Sequence, residues 1–371
     1  MMQPFGDCNA DEDVDGSVVT KNGQKSIVLG THRVCAPEET FKRVQPFFSH
    51  MGITRIADVT RLDNIGIPVF QAIRPGTMTL CVSQGKGLTP ALAKISAVME
   101  SIETWHSEHP ALPSIKEEVG TMSSQIPYSI YDLNVVEGHL IHDRLLLNWF
   151  PATILGTRDQ TFVPADYVHL DFRASDEWLL PTFSMTSNGL ASGNSKEEAI
   201  LHGLYEAIER DSVSRTWTGE IAKIQVDPAT VDGPASATLI EHLHRARVDM
   251  DIVYNQGKTG IPCFSASIVS PEYPMICGGF GCHLDRDVAL SRALTEAVQS
   301  RLTFISGARD DIDMRFYARV KRRRGPLTLE QYAKPLMDFH DIPTTYFPTL
   351  KEDLQEATRR VLTVVDCPPI V

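Results

Sequence analysis

The 371-residue sequence predicts an α/β (α+β) protein with mixed sheets packed against long helices, and three observations carry that expectation. Short apolar runs bounded by Gly and Pro alternate with longer stretches of helical periodicity. Hydrophobic residues make up 42% and charged residues 22%, the balance of a chain that buries a core. Glycine-bearing segments fall just ahead of the helical stretches, where the chain has to turn.

Taken in order, residues 1–24 are acidic and glycine-containing with few large apolar groups, which predicts a mobile tail. Strand-like runs at 26–29, 54–59, 69–73 and 78–82 lead to a helix opened by Thr89 and Pro90, which suit an N-cap and a first turn. Residues 110–176 are rich in Pro and turns, with strand-like pieces at 145–149 and 161–164. A helix over 196–217 is capped by Ser195, with Glu198 as its capping-box partner. Another spans 235–247, followed by strands at 250–254 and 263–269 and a long helix from Asp287 towards 305. Residues 362–365 read as a closing strand, and the basic run Lys321, Arg322, Arg323, Arg324 as a solvated loop.

Composition narrows the partners. Lys plus Arg number 35 against 47 Asp plus Glu, a net charge of −12 that repels phosphate backbones and anionic lipid, so neither nucleic acid nor membrane is expected. The 7 cysteines contain no Cys-x-x-Cys pair and indicate neither a zinc knuckle nor a disulfide framework. The N-terminus lacks a basic segment followed by an apolar one, and the most apolar stretch, 145–156, is interrupted by Asn148 and Pro151. A cytoplasmic location is expected.

The informative pattern recurs on three helices. After Gly85-Lys86-Gly87 come Ser96, Glu100 and Glu103; after 188–194 come His202, Glu206 and Glu209; after 278–281 come Arg292, Glu296 and Gln299. Each set has i, i+4, i+7 spacing, which at about 100° per residue keeps three side chains on one helix face. The rest of each helix is apolar or small, so the helices are buried and their polar stripes must face a cavity or a partner. Converging glutamates repel unless cations separate them, and hard oxygen donors suit Mg2+. A triphosphate with Mg2+ fits, with Arg210 and Arg292 as phosphate contacts.

Competing signatures are incomplete. Gln256-Gly257-Lys258-Thr259 resembles the end of a phosphate-binding loop, but Ile252 stands where its first Gly belongs, so it reads as a turn. A di-metal carboxylate oxidase would use Glu-x-x-His motifs; Glu103 and His106 supply one, but Ser212 replaces the second histidine. His202, His106, His109 and His283 lie near these segments without earning a catalytic role.

These segments resemble the YcaO family of ATP-dependent peptide-modifying enzymes, across 25–309 and more weakly beyond. Gly30-Thr31-His32-Arg33, Thr40, Ile67-Pro68 and Arg74-Pro75 resemble the amino-terminal part of the same domain. The resemblance implies one domain over 25–371 with pseudo-symmetric halves around a nucleotide cavity, and ATP and Mg2+ as cofactors. By position it implies Glu100, Glu103, Glu206, Glu209 and Glu296 as metal ligands. Arg33, Thr40, Arg210 and Arg292 would contact phosphate, Asn194 and Glu198 would approach the nucleoside, and Ser96 and Gln299 complete the nucleotide set. Thr104 stands where many members carry Arg, and the ending Asp366-Cys367-Pro368-Pro369-Ile370-Val371 is not the alternating proline motif of azoline-forming members.

The implied reaction phosphorylates a peptide backbone amide oxygen, giving cyclodehydration to an azoline such as a thiazoline or to a macrocyclic amidine, in ribosomal-peptide natural product biosynthesis. Backbone thioamidation with a sulfide source is the rival within the family, and a non-catalytic peptide-binding scaffold the rival outside it. The partner expected is a precursor peptide, with a helper protein or a second copy of the chain left open.

Overall fold

The computed structural model describes residues 23–173, 181–315, 317–318, 329 and 336–371; the expectations for 1–22 and 321–324 lie outside these. The first stretch holds helix α1 (Pro37–Val44), strands β1 (Arg55–Asp58), β2 (Val69–Ile73) and β3 (Val82–Lys86), and helix α2 (Pro90–Glu108). Strands β4 (Ile115–Glu118), β5 (Leu146–Thr153) and β6 (Gln160–Pro164) follow, then helix α3 (Lys196–Thr218). The remainder comprises β7 (Ile224–Gln225), α4 (Pro234–Arg245), β8 (Asp249–Tyr254), β9 (Cys263–Ser270), β10 (Tyr273–Cys282), α5 (Arg286–Ser306) and α6 (Leu350–Leu362).

Among the described residues three sheets form, ordered β1-β2-β3, β10-β9-β8-β7 and β4-β5-β6, and their strand pairing is antiparallel rather than mixed. Two of them are built alike: a meander ends in a glycine-bearing strand, and the next helix folds back across it. Helix α2 lies on β2 and β3, and α5 on β9 and β10. The close approach is set by glycine. A Cβ on Gly85 would overlap the backbone of Ala93 and Ala97, and one on Gly281 the backbone of Ala289 and Ala293. Each helix answers with alanines, so the two halves share one device for pressing a helix against a sheet.

The largest core joins α4, α5 and the inner faces of β8, β9 and β10, with Ile252, Phe264, Ile268, Leu290, Leu294 and Val298 shielded from solvent. Helix α5 is buried along most of its length and also touches β3, which couples the two halves. A second core, under Leu201, Leu204 and Ile208 of α3, reaches α6 through Leu350, Ala357 and Val361.

Several local expectations shift. Residues 78–81 precede the strand expected there, because Thr77 and Thr79 donate hydroxyl hydrogen bonds to the buried Glu108 carboxylate, which also pairs with Arg74. Around 26–29 the backbone makes only an isolated bridge, Ile27 to Arg33. The closing strand at 362–365 is instead the end of α6 and its following turn, since Thr349 and Glu352 form a full capping box that starts a 13-residue helix. Ser195 caps α3 as expected, but Glu198 makes no reciprocal bond and turns to the segment before α1. The 256–259 segment follows β8 as a turn, with Ile252 inside the strand. No helix among the described residues is long and apolar enough to cross a membrane.

Candidate active site

The three polar stripes meet. One cavity of about 550 Å³ lies between α2, α3 and α5, lined by Ser96, Glu100 and Glu103, by His202, Glu206, Glu209 and Arg210, and by Arg292, Glu296 and Gln299. Arg33, Thr40, Asn194 and Glu198 line it too, so every residue expected at the site faces this space. The i, i+4, i+7 spacing brings this about: the apolar sides of α2, α3 and α5 are taken up by sheets and neighbouring helices, leaving one direction for the stripes.

On one wall a hydrogen-bond chain ties the segment before α1 to the start of α3. Glu198 accepts from the Val34 amide at 3.1 Å and from Arg33 Nη1 at 3.3 Å, while Asn194 Nδ2 donates to its Oε1 at 3.1 Å. Thr40 Oγ1 donates to Asn194 Oδ1 at 2.7 Å. Glu198 therefore spends its capping capacity on holding the chain that crosses the cavity.

The opposite wall is acidic and under-compensated. Burial, with repulsion from Glu100 and Glu206 behind it, pushes the Glu103 carboxyl up to about 8 against hydrogen bonds from the Ser192 backbone and from its Oγ, the latter at 2.9 Å. Burial raises Glu209 to about 7, with Glu296 adding repulsion, and raises Glu206 as well. Glu100 is open to water in the cavity, yet the protein around it strips enough hydration to bring it to about 7. Internal cations answer in part: Lys86 Nζ sits 2.9 Å from Glu296 Oε2, and Arg210 lies 3.5 Å from Glu206.

Arg292 and His202 form the floor. Arg292 Nη2 donates to His202 Nε2 at 3.0 Å, and burial, aided by Arg292, drives the His202 pKa well below its usual value. The imidazole is thus neutral and its Nε2 lone pair is engaged. Arg292 Nε and Gln299 Oε1 are buried beside the cavity without a hydrogen-bond partner.

Three residues were missed as site groups. Lys86 stood between its glycines without a role, although those glycines mark a backbone held too close for any other side chain to replace them. Arg309 and Ser192 line the cavity from loops whose sequence carries no periodic signal. The Glu103 and His106 pair separates: His106 turns to its own helix, with Nδ1 at 2.8 Å from the Ile102 carbonyl, and is not among the lining residues. That removes the histidine a di-metal oxidase requires.

A second polar cluster lies behind the floor, where His32, His283 and Asp353 bring ligand-type atoms within 4.8 Å of one another. It is not suited to a cation. His283 Nδ1 accepts from the Asp285 amide at 2.9 Å, which places the ring proton on Nε2, the nitrogen a metal would need. Lys25 Nζ already neutralises Asp353 at 2.7 Å, with both side chains about 1% exposed. This ion pair anchors the start of the cavity-crossing segment to α6.

Comparisons with known proteins agree with the geometry. Residues 84–364 match a family model described as YcaO cyclodehydratase, ATP- and Mg2+-binding. An uncharacterised protein of Mycobacterium tuberculosis is 43% identical over 79% of this chain and 66% of its own length. One of Methanothermobacter thermautotrophicus is 36% identical over 74% and 72%. The Escherichia coli ribosomal protein S12 methylthiotransferase accessory factor YcaO is 25% identical over 72% of this chain and 48% of its own. Among solved structures, a heterocyclase in complex with substrate and cofactor superposes with TM-score 0.75 at 20% identity, over 92% of this chain and 50% of that one. The YcaO of Methanopyrus kandleri bound with AMPPCP and Mg2+ gives 0.69 at 22% identity, over 94% and 89%. The chain thus spans 66% of the mycobacterial relative and half of the heterocyclase. Both superpositions speak to the fold, and with the family model and the 43% identity beside them, the chain belongs to the YcaO family, whose members bind ATP and Mg2+.

Proposed function

We propose that this protein is an ATP- and Mg2+-dependent enzyme that activates a peptide backbone amide by phosphorylating its oxygen, leading to cyclodehydration within ribosomal-peptide natural product biosynthesis. The observation that carries this reading is the gathering of Glu100, Glu103, Glu206, Glu209 and Glu296 from three helices onto one cavity that also presents Arg33, Arg210 and Arg292. The donor set fits the metal: all-oxygen, carboxylate-rich and short of internal cations, as the raised pKa values of Glu100, Glu103 and Glu209 register. The unpartnered Arg292 Nε and Gln299 Oε1 fit a ligand that brings its own polar atoms.

In this reading the five glutamates would hold Mg2+, and Arg33, Arg210 and Arg292, interleaved with them around the same cavity, would neutralise phosphate charge. The chemistry supplied when MgATP is bound is a phosphoryl transfer that lets the amide oxygen leave as phosphate. Such transfer depends on positioning and charge neutralisation, so the chain needs no covalent nucleophile. Asn194 and Glu198 hold the segment from Arg33 to Thr40 across the cavity, whose lining also includes the apolar side chains of Met99 and Leu170. His202 orients Arg292 and takes no proton itself, because its Nε2 is already bonded.

The test is incubation with ATP, Mg2+ and candidate precursor peptides, read by mass together with phosphate release. Loss of one water per modified residue supports cyclodehydration. Replacement of oxygen by sulfur, on adding sulfide, assigns the chain to thioamidation instead. Nucleotide binding without any peptide-dependent ATP consumption would leave only a binding scaffold.

A further inference from the structure

Lys86 is the last residue of β3, and its backbone has no freedom to retreat. A Cβ at Gly85 would overlap Ala93 and Ala97, and one at Gly87 would overlap Leu92 and Ala93, so α2 clamps the strand on both sides of it. The side chain therefore leaves from a fixed point and crosses the cavity to α5, where Nζ meets Glu296 Oε2 at 2.9 Å. Its side chain is 22% exposed and that of Glu296 26%, so both remain within reach of an incoming ligand. The same charge acts on Glu100 and Glu209, opposing the effect of their burial. One ammonium thus serves acidic groups from all three helices, where a divalent cation would serve them in the loaded enzyme.

We infer that Lys86 is a built-in place-holder for the metal: its ammonium occupies Glu296 in the free protein and transfers to nucleotide phosphate when the divalent cation arrives. Lysine suits this exchange because its charge is compact and carried on a flexible four-carbon stem, whereas a guanidinium would stay locked to the carboxylate. The exchange couples the two ligands. Metal alone must displace the ammonium and leave it unpaired beside a second cation, while metal with a triphosphate offers it a new anion. Coupling is reciprocal, so each ligand binds poorly without the other and the acidic cavity resists stray divalent cations. This inference rests on the proposed nucleotide function and adds an order of assembly to it.

The experiment compares wild type, Lys86→Met and Lys86→Arg, each first shown to be folded by circular dichroism. Mn2+ binding without nucleotide is read by electron paramagnetic resonance, and a non-hydrolysable ATP analogue is titrated calorimetrically at saturating Mg2+. The place-holder role requires opposite signs in Lys86→Met: Mn2+ alone binds about tenfold tighter, and the nucleotide about tenfold weaker, within the usual range of coupling energies. Lys86→Arg keeps the weak Mn2+ binding of wild type, because the carboxylate remains occupied. Weaker or unchanged Mn2+ binding in Lys86→Met overturns the inference. A wild type that binds neither ligand overturns the nucleotide reading and this inference with it.

Discussion

At the residue scale, the glutamates of the cavity are set for a partner and are a burden without one. Glu209 is held near a pKa of about 7 by burial and by Glu296, at some cost to the metal-free fold. Glu209→Gln keeps the shape and removes the charge, so two effects of opposite sign are expected. Mg2+-dependent nucleotide affinity falls by at least about tenfold, in line with losses at metal-supporting groups, while the melting temperature of the metal-free protein rises. Calorimetric titration and thermal melts read these separately, and a variant that loses stability and keeps its affinity contradicts the assignment. Glu198 illustrates a different choice: its position invited a capping box, but a longer-range contact with the Val34 amide and Arg33 wins, because that contact also satisfies a buried N–H.

The elements owe their arrangement to where side chains are missing. Gly281 and Gly278 lie on one strand only three residues apart, yet they face different surroundings. A Cβ at Gly281 would strike the Ala289 and Ala293 backbone, which cannot yield, whereas one at Gly278 finds only the Ala266 carbonyl at 3.9 Å. Gly281→Ala is therefore expected to destabilise by about 3 kcal/mol, at the upper end of overpacking costs. Gly278→Ala should be neutral or stabilise by up to about 1 kcal/mol through backbone entropy. Urea unfolding of the two variants tests the comparison, and equal stabilities would refute the role assigned to the helix-to-strand contact. Since α5 carries Arg292, Glu296 and Gln299, loosening it at Gly281 also displaces the third stripe of the cavity.

For the whole molecule, the carboxylates of the cavity make stability depend on pH and on metal together. Glu100 and Glu209 at about 7 and Glu103 at about 8 bind protons more tightly folded than unfolded, where the ordinary value is 4.5. Their contribution is complete below that value and is lost as pH rises through 7 and 8. The buried neutral His202 and His283 work the opposite way up to their ordinary value of 6.5, so the carboxylates dominate between about pH 6.5 and 8. Metal-free protein should melt at progressively lower temperature across that window, and saturating Mg2+ should raise the melting temperature more at pH 8 than at 6.5. A metal effect independent of pH would mean that these groups do not bind it.

Much of this was legible in advance, because the helical stripes and glycine turns are local patterns. The same patterns said nothing of Arg309 or Ser192, which reach the cavity from loops, and they misread 362–365, where the capping box at Thr349 set the helix that β-rich composition concealed. The sequence by itself determined which faces of three helices had to be sheltered together and which residue types lay on them. Tertiary structure alone decided that the three faces meet in a single cavity, that Lys86 bridges to Glu296 across it, and that burial and repulsion raise the pKa of Glu100, Glu103, Glu206 and Glu209. Spacing along a chain records direction around a helix axis, whereas the distance between helices, and with it the strength of every charge interaction, is set only once sheets and helices have packed.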